Sequence, residues 1–198
     1  KESLSAREQL RIVRDDLVLV YLCSLVTVYL FREMITLFRA LKKRNADSIL
    51  LMVGKHNQKE IVGSAQKIAP ELGLSDFRFV KASHFEVPFW LGAANVAVCF
   101  ITPSFSSLGV SPTKLGEYLA AGLPVIGNDG IGDIRSIIDE SDAGHVLTDF
   151  SPASIKTTIT QIDRLTGYSR AALRERTRLL HDMDRAVGLY DQIYRRIA

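Results

Sequence analysis

The chain has little cysteine, little net charge and no clear membrane-spanning run, and each shortage excludes a class of protein. Two cysteines among 198 residues, Cys23 and Cys99, make neither a disulfide framework nor a metal site. Both sit near the ends of apolar runs, where a small buried thiol is common. A net charge of +3 is too small for a nucleic-acid surface, and no interleaving of aromatic and basic residues accompanies it. Residues 17–31 carry no charge, but fifteen residues fall short of the ~20 that a spanning helix needs. Their β-branched residues, with Ser24 and Thr27, fit a strand, a turn and a helix start better. No positively charged leader precedes a cleavage-like site, so cytoplasmic residence is the default expectation.

What the chain does have is enough apolar residue for a full core, 47% of the total, in a length that suits one domain. From Leu17 onward, strand-like apolar runs alternate with amphipathic helical ones. Strands are expected at 17–23, 48–54, 77–81, 96–100, 123–126 and 144–147. Helices are expected at about 30–44, 58–72, 86–94, 112–121, 132–139 and 152–164. The alternation implies parallel pairing through right-handed crossovers. The fold class is therefore α/β: a doubly wound, Rossmann-like parallel sheet of about six strands over residues 15–165. Ser83 to Glu86 has the form of a capping box, yet a helix begun there would carry Pro88 inside, so a start nearer Phe85 is expected.

The ends read differently. Residues 1–14 form a short exposed helix or a linker remnant. Residues 166–198 form one or two arginine-rich helices, with Leu173, Leu180, Val187, Tyr190 and Tyr194 spaced to pack one face on the domain. Their basic face is expected to be solvated, with an anionic membrane surface as the alternative.

The most informative run is 111–126. Ser111 suits a helix N-cap and Pro112 the first helical position, so backbone N–H groups would point out of the helix mouth, where a diphosphate fits. Lys114 stands one turn before Glu117, which would offer a cation to phosphate and an acceptor pair to ribose hydroxyls. Gly122 and Pro124 then stop the helix, and 123–126 continues as a buried strand. By periodicity Leu115, Leu119 and Ala120 face the core and leave Glu117 at its edge.

Pro112-Thr113-Lys114-Leu115-Gly116-Glu117-Tyr118-Leu119-Ala120, then Gly122-Leu123-Pro124-Val125-Ile126 and Gly130-Ile131-Gly132-Asp133, resembles a known pattern. It is similar to the C-terminal, donor-binding half of the retaining nucleotide-sugar glycosyltransferases of the GT-B architecture, of the family 4 type. Tyr21-Leu22-Cys23-Ser24-Leu25 and the element spacing add to the likeness. The resemblance implies a hexosyltransferase-type enzyme moving a sugar from a nucleoside diphosphate sugar to a hydroxyl acceptor with retention. It implies no metal or other cofactor, the sugar nucleotide being a substrate. The glutamate matching Glu117 accepts hydrogen bonds from the donor ribose. An N-terminal acceptor domain, for which this chain is too short, would complete the cleft, and a C-terminal helix would cross back to it. The chain alone is then expected to bind donor weakly and turn over nothing.

Departures from that pattern are specific. The family pairs two glutamates eight positions apart, and the earlier position falls on Gly109. Its diphosphate-neutralising Arg and Lys fall on Ser24 and Tyr29, and its loop glycines on Cys23 and Val26. Diphosphate charge would rest on the 111–114 helix start, on Lys114, and on Lys81 or Lys55.

Ligands of doubly wound sheets lie beyond the carboxyl ends of the strands, which gathers loops 23–29, 54–58, 81–85, 101–112 and 127–133 around one crevice. The candidate donor-binding residues are Glu117, Lys114, Thr113, Ser111, Gly109, Ser24, His84 and Lys55; no catalytic residue is assigned to this domain. Plainer readings stand beside them: solvation for Lys55 and His56, a structural or solvated histidine at 84, an N-cap at Asp133, and an ion pair of Glu117 with Lys114 or another loop cation. Other functions make different demands on the same residues. A GT-B-shaped sugar-nucleotide epimerase would need carboxylates in the 101–112 loop, which has none, whereas a non-catalytic GT-B-derived binding module agrees with the lost charges. A receiver-like fold would need acidic residues where Cys23-Ser24 and Val80-Lys81 stand.

Overall fold

The computed structural model describes residues 4–22, 29–54, 58–180 and 182–197. Six strands, β1 (Val18–Leu22), β2 (Ile49–Val53), β3 (Phe77–Val80), β4 (Val96–Cys99), β5 (Val125–Asn128) and β6 (Gly144–Leu147), form one sheet in the order β3-β2-β1-β4-β5-β6. Every neighbouring pair is parallel. Strands β1 and β2 are buried along their whole length, as continuous apolar runs must be when helices cover both faces. Side chains of β1 alternate between the faces: Val18, Val20 and Leu22 enter one core, Leu19 and Tyr21 the other.

Nine helices among the described residues complete the layers: α1 (Ala6–Gln9), α2 (Phe31–Arg44), α3 (Gln58–Ile68), α4 (Val87–Leu91), α5 (Thr113–Ala120), α6 (Ile134–Glu140), α7 (Pro152–Thr166), α8 (Arg170–Thr177) and α9 (Met183–Ile197). Core residues of α2, α3 and α7 share the face of Leu19, and those of α4, α5, α6 and α8 share the face of Val20. In α2 the buried stripe Met34, Ile35, Leu37, Phe38 and Leu41 follows the helical period, and Lys42, Lys43 and Arg44 complement the negative helix end. Each such fully buried side chain contributes roughly 1.5–3 kcal/mol of transfer free energy.

Several boundaries differ from the sequence reading. Residues 1–14 hold the short helix α1 and are mostly exposed where described, but the segment is tethered: Ala6 and Ile12 are buried, and Arg7 donates to Asn95 Oδ1 at 2.8 Å and to the Asp16 carbonyl. Helix α3 ends at Ile68 rather than near 72. Both signals at 83–88 operate. Glu86 accepts from the Ser83 backbone N–H at 2.8 Å across a 3-10 turn, and α4 begins only at Val87, so Pro88 falls in its first turn where no N–H is needed. In the tail, Leu173 and Thr177 of α8 are buried. Helix α9 buries none of its residues, so Val187, Tyr190 and Tyr194 do not pack on the domain as expected.

Sheet order reverses between β1 and β4. Crossovers from β1 run one way and those from β4 the other, which opens a crevice at their carboxyl ends.

Candidate functional site

The segment that enters this crevice is the loop from Ile101 to Pro112, and it is fastened at several points to the turn after β5. Asn128, buried at the end of β5, accepts from the Ile101 N–H at 2.8 Å and donates from Nδ2 to the Ile101 carbonyl at 3.0 Å. Ser107 donates from Oγ to the Gly130 carbonyl, and its own carbonyl accepts from the Gly132 N–H at 2.9 Å. Gly132 has φ +31°, and a β-carbon there would stand 1.9 Å from the Val110 carbonyl oxygen. No side chain fits between these two backbones, so the Gly130-Ile131-Gly132-Asp133 run serves to bring turn and loop together.

Helix α5 leaves this loop one residue later than expected. Pro112, with φ −74° and ψ 120°, is the cap residue, and it makes no side-chain cap bond. Ser111 does not cap; its Oγ donates to Asp133 Oδ2 at 2.9 Å. Serine before proline can cap a helix, as Ser151 before Pro152 caps α7, but the hydroxyl of Ser111 is taken up by α6 instead. Asp133 holds the N-cap position of α6, likewise without a side-chain cap bond, its carboxylate being engaged by Ser111. Thr113 is the exposed first residue of α5.

Inside α5, Leu115, Tyr118 and Leu119 are buried and Ala120 is exposed. Tyr118, not Ala120, completes the core stripe, as the three- and four-residue spacing from Leu115 allows. Its hydroxyl accepts from the Leu22 N–H at 2.8 Å and donates to the Val98 carbonyl at 3.3 Å, tying β1 to β4 at the point where the sheet order reverses. Burial pushes this phenol well above its ordinary pKa, so it stays protonated and able to donate. Tyr118 stands in the quoted motif without a role in the sequence, and the Glu117–Tyr118 pair marks the border of the buried stripe.

Glu117 lies on that border, with 28% of its side chain exposed. Its Oε1 is 3.3 Å from His84 Nδ1, a contact that is an ion pair when the imidazole is protonated, and no salt bridge joins it to Lys114 among the described residues. The carboxylate opens into a cleft of about 600 Å³ between α4, α5 and α8, lined also by Val87, Leu91, Ala120 and Arg174. Lys114 points elsewhere. Its ammonium is buried, 3.5 Å from the centre of the Tyr29 ring and 5.5 Å from that of Tyr21. Nearby, burial raises the Cys99 thiol to about 12 even though the Lys114 charge acts to lower it, which makes Cys99 an inert packing group.

Structure thus brings His84 and Glu117 together and sets Lys114 one turn away against Tyr29. Gly109 ends a 3-10 turn from Ser106, with open space where a side chain would begin. Ser24 and Lys55, with Cys23, Val26, His56 and Asn57, lie outside the described residues. Two rings whose exposure the sequence does not signal are Phe85, in the 3-10 turn before α4, and Phe105, 92% and 94% exposed. Among the described residues, no helix is long and apolar enough to cross a membrane.

The model of the family described as "Glycosyl transferases group 1" matches residues 3–179. The chain belongs to that family. Solved glycosyltransferases share the fold of this group 1 domain. WaaG, "a glycosyltransferase involved in lipopolysaccharide biosynthesis", superimposes with a TM-score of 0.67 at 20% identity over 90% of this chain and 46% of its own. S. aureus TarM, in a complex with UDP, gives 0.66 at 13% identity over 90% of this chain and 35% of its own. The C-terminal domain of a glycosyl transferase group 1 family protein, LpcC from Francisella tularensis, gives 0.63 at 15% identity, covering 90% and 92%. This group 1 chain therefore spans less than half the length of WaaG and TarM and nearly all of the isolated C-terminal domain, which is the C-terminal half of a GT-B architecture. A search of curated proteins gives no match.

Proposed function

We propose that the domain binds the nucleotide of a nucleoside diphosphate sugar for a glycosyltransferase that moves the sugar, with retention, onto a hydroxyl acceptor held by a second domain. One observation carries the reading: Glu117 stands part-exposed one turn inside α5, the helix that follows β4 beside the reversal point of the sheet, 3.3 Å from His84. A carboxylate there can accept both ribose hydroxyls, and its charge-assisted hydrogen bonds are the stronger kind. The diphosphate would approach the start of α5, where helix N–H groups and the dipole favour negative charge.

The chemistry asked of this domain is electrostatic. As the bond from sugar to diphosphate breaks, negative charge grows on the leaving oxygen, and fixed donors at the α5 start and the Lys114 ammonium would stabilise it. The acceptor hydroxyl would give its proton to the leaving phosphate on the same face, so no nucleophile from this domain is required. Phe85 and Phe105 support a second domain across the crevice, because exposed rings on a rim mark a surface that another body covers.

Gly109 favours a second reading, a non-catalytic module that keeps nucleotide binding, since the carboxylate that relatives place near the donor sugar is absent. Calorimetry with UDP, GDP and ADP tests the shared part. One nucleotide should bind, and Glu117→Ala should weaken it by roughly tenfold or more, the loss of hydrogen bonds to a charged acceptor. Absence of binding by all three, or indifference to Glu117, would remove the ribose assignment. Turnover of the sugar nucleotide by the full-length protein separates enzyme from module.

A further inference from the structure

The 3-10 turn from His84 to Glu86 is held by its own residues. The Ser83 backbone N–H and hydroxyl both donate to Glu86 Oε2, at 2.8 and 2.6 Å, and the Glu86 N–H returns a bond to the Ser83 carbonyl at 3.1 Å. These bonds hold the Glu86 carboxyl below its ordinary pKa and commit it to Ser83. His84, the first residue of the turn, meets a different carboxylate, that of Glu117 on α5.

A carboxylate accepts and does not donate, so the proton across this 3.3 Å contact belongs to His84 Nδ1 and is offered to Glu117 Oε1. Other cations of the neighbourhood are occupied elsewhere. Lys114 lies against the Tyr29 ring, and Arg170, which lines the same cleft, donates to the Leu91 and Ala94 carbonyls. Among the described residues, His84 is the only basic side chain within salt-bridge distance of Glu117.

A carboxylate has about four acceptor positions, of which two ribose hydroxyls fill two. The same ribose shuts water away from the others, and a charged acceptor left empty is costly. Glutamate also turns freely about its own bonds until something fixes it, and that freedom is lost on binding. A donor at Oε1 answers both demands. We propose that His84 is a positioning residue for Glu117: it holds Oε1 so that Oε2 and the open side of Oε1 meet the 2′ and 3′ hydroxyls together, and selection of ribo- over 2′-deoxyribonucleotides depends on it. The inference rests on the reading that Glu117 holds the ribose. His84 is 79% exposed in the free chain, where solvent weakens the contact, and a nucleotide that covers it strengthens it.

Calorimetry on the full chain compares the best-binding of UDP, GDP and ADP with its 2′-deoxy counterpart. The unaltered chain should prefer the ribo form by roughly tenfold, the effect of one hydrogen bond to a charged acceptor. Glu117→Ala should abolish that preference. His84→Ala should reduce it severalfold, and His84→Asn, whose amide N–H can stand where Nδ1 stood, should restore most of it. A histidine that only shaped the loop would change both affinities alike and leave their ratio as it was. Thermal unfolding verifies that each variant is folded. An unchanged ratio in His84→Ala, or no recovery in His84→Asn, overturns the positioning role and leaves Glu117 on the ribose. Absence of any preference in the unaltered chain, or a preference that survives Glu117→Ala, overturns the ribose assignment and the positioning role with it.

Discussion

The ammonium of Lys114 lies 3.5 Å from the centre of the Tyr29 ring. Tyr29 is the position at which the glycosyltransferase resemblance puts a phosphate-binding lysine. Here the aromatic ring occupies the loop position, and the lysine comes instead from the first turn of α5. Contact between a cation and an aromatic ring is worth about 0.5–2 kcal/mol, enough to favour one placement of a flexible side chain. The pair keeps a positive charge beside the helix start while changing which element supplies it.

If that charge serves the diphosphate and Glu117 the ribose, the two residues separate in a simple comparison. Lys114→Met should lower affinity for the best-binding nucleoside diphosphate by severalfold, the effect of a nearby charge that acts through space because the ammonium is buried against Tyr29, and leave the parent nucleoside unaffected. Glu117→Ala should weaken both. Tyr29→Leu should fall between wild type and Lys114→Met for the diphosphate alone. Calorimetry on diphosphate and nucleoside with each variant reads this pattern. An equal loss of both ligands in Lys114→Met would mean that the lysine shapes the pocket rather than neutralising phosphate.

Gly109 offers the complementary gain. Nothing stands within 4 Å of a β-carbon built there, and the residue closes a 3-10 turn that any side chain can adopt. Gly109→Glu should therefore fold with a change in stability within about 0.5 kcal/mol. If the loop faces the donor sugar as in relatives with two glutamates, the variant should raise the ratio of sugar-nucleotide to nucleotide affinity. Thermal unfolding checks the first expectation and paired calorimetric titrations the second; an unchanged ratio would detach this loop from the sugar.

The strands were legible because each is an apolar run set apart by turn residues, and the parallel order follows from the helices between them. Boundaries failed where two local rules competed. At 83–88 a capping box and a proline conflict on paper, yet a 3-10 turn satisfies both. At 111–113 the serine cap gave way to a tertiary contact, the hydrogen bond from Ser111 to Asp133, which no local rule encodes. The contacts of the site were less legible than its position. That Glu117 would meet His84, 33 residues earlier in the chain, and that Lys114 would turn to Tyr29, depends on how α4 and α5 dock on the sheet. No periodicity encodes such a distance. Tyr118 could have been found, since strict helical spacing from Leu115 selects it over Ala120.

Asp142 shows how the C-terminal helices are fastened, and its titration supplies a test that does not involve ligand. It has φ +45°, and its carboxylate accepts from Tyr168 Oη at 2.7 Å and from Arg164 Nη1 at 2.8 Å. Its carbonyl accepts from Arg176 Nη2 at 3.0 Å, so one residue before β6 holds α7, the Tyr168 turn and α8. The Tyr168 hydrogen bond, with further help from Arg164, holds the carboxyl below its ordinary pKa. A depressed folded-state pKa adds stability that is present above the unfolded value and lost as pH falls through the folded one. Asn tolerates the left-handed backbone and keeps one acceptor, so Asp142→Asn removes chiefly the charge. The side chain is 62% exposed, and solvent screening limits the loss at pH 7 to at most about 1 kcal/mol. Urea unfolding of both proteins from pH 7 to pH 3 should show that deficit unchanged down to about pH 5, then shrinking as Asp142 protonates in the wild type. Other carboxylates titrate in both proteins and cancel in the difference. A deficit that stays constant to pH 3 would assign the role of Asp142 to its backbone conformation and not to its charge.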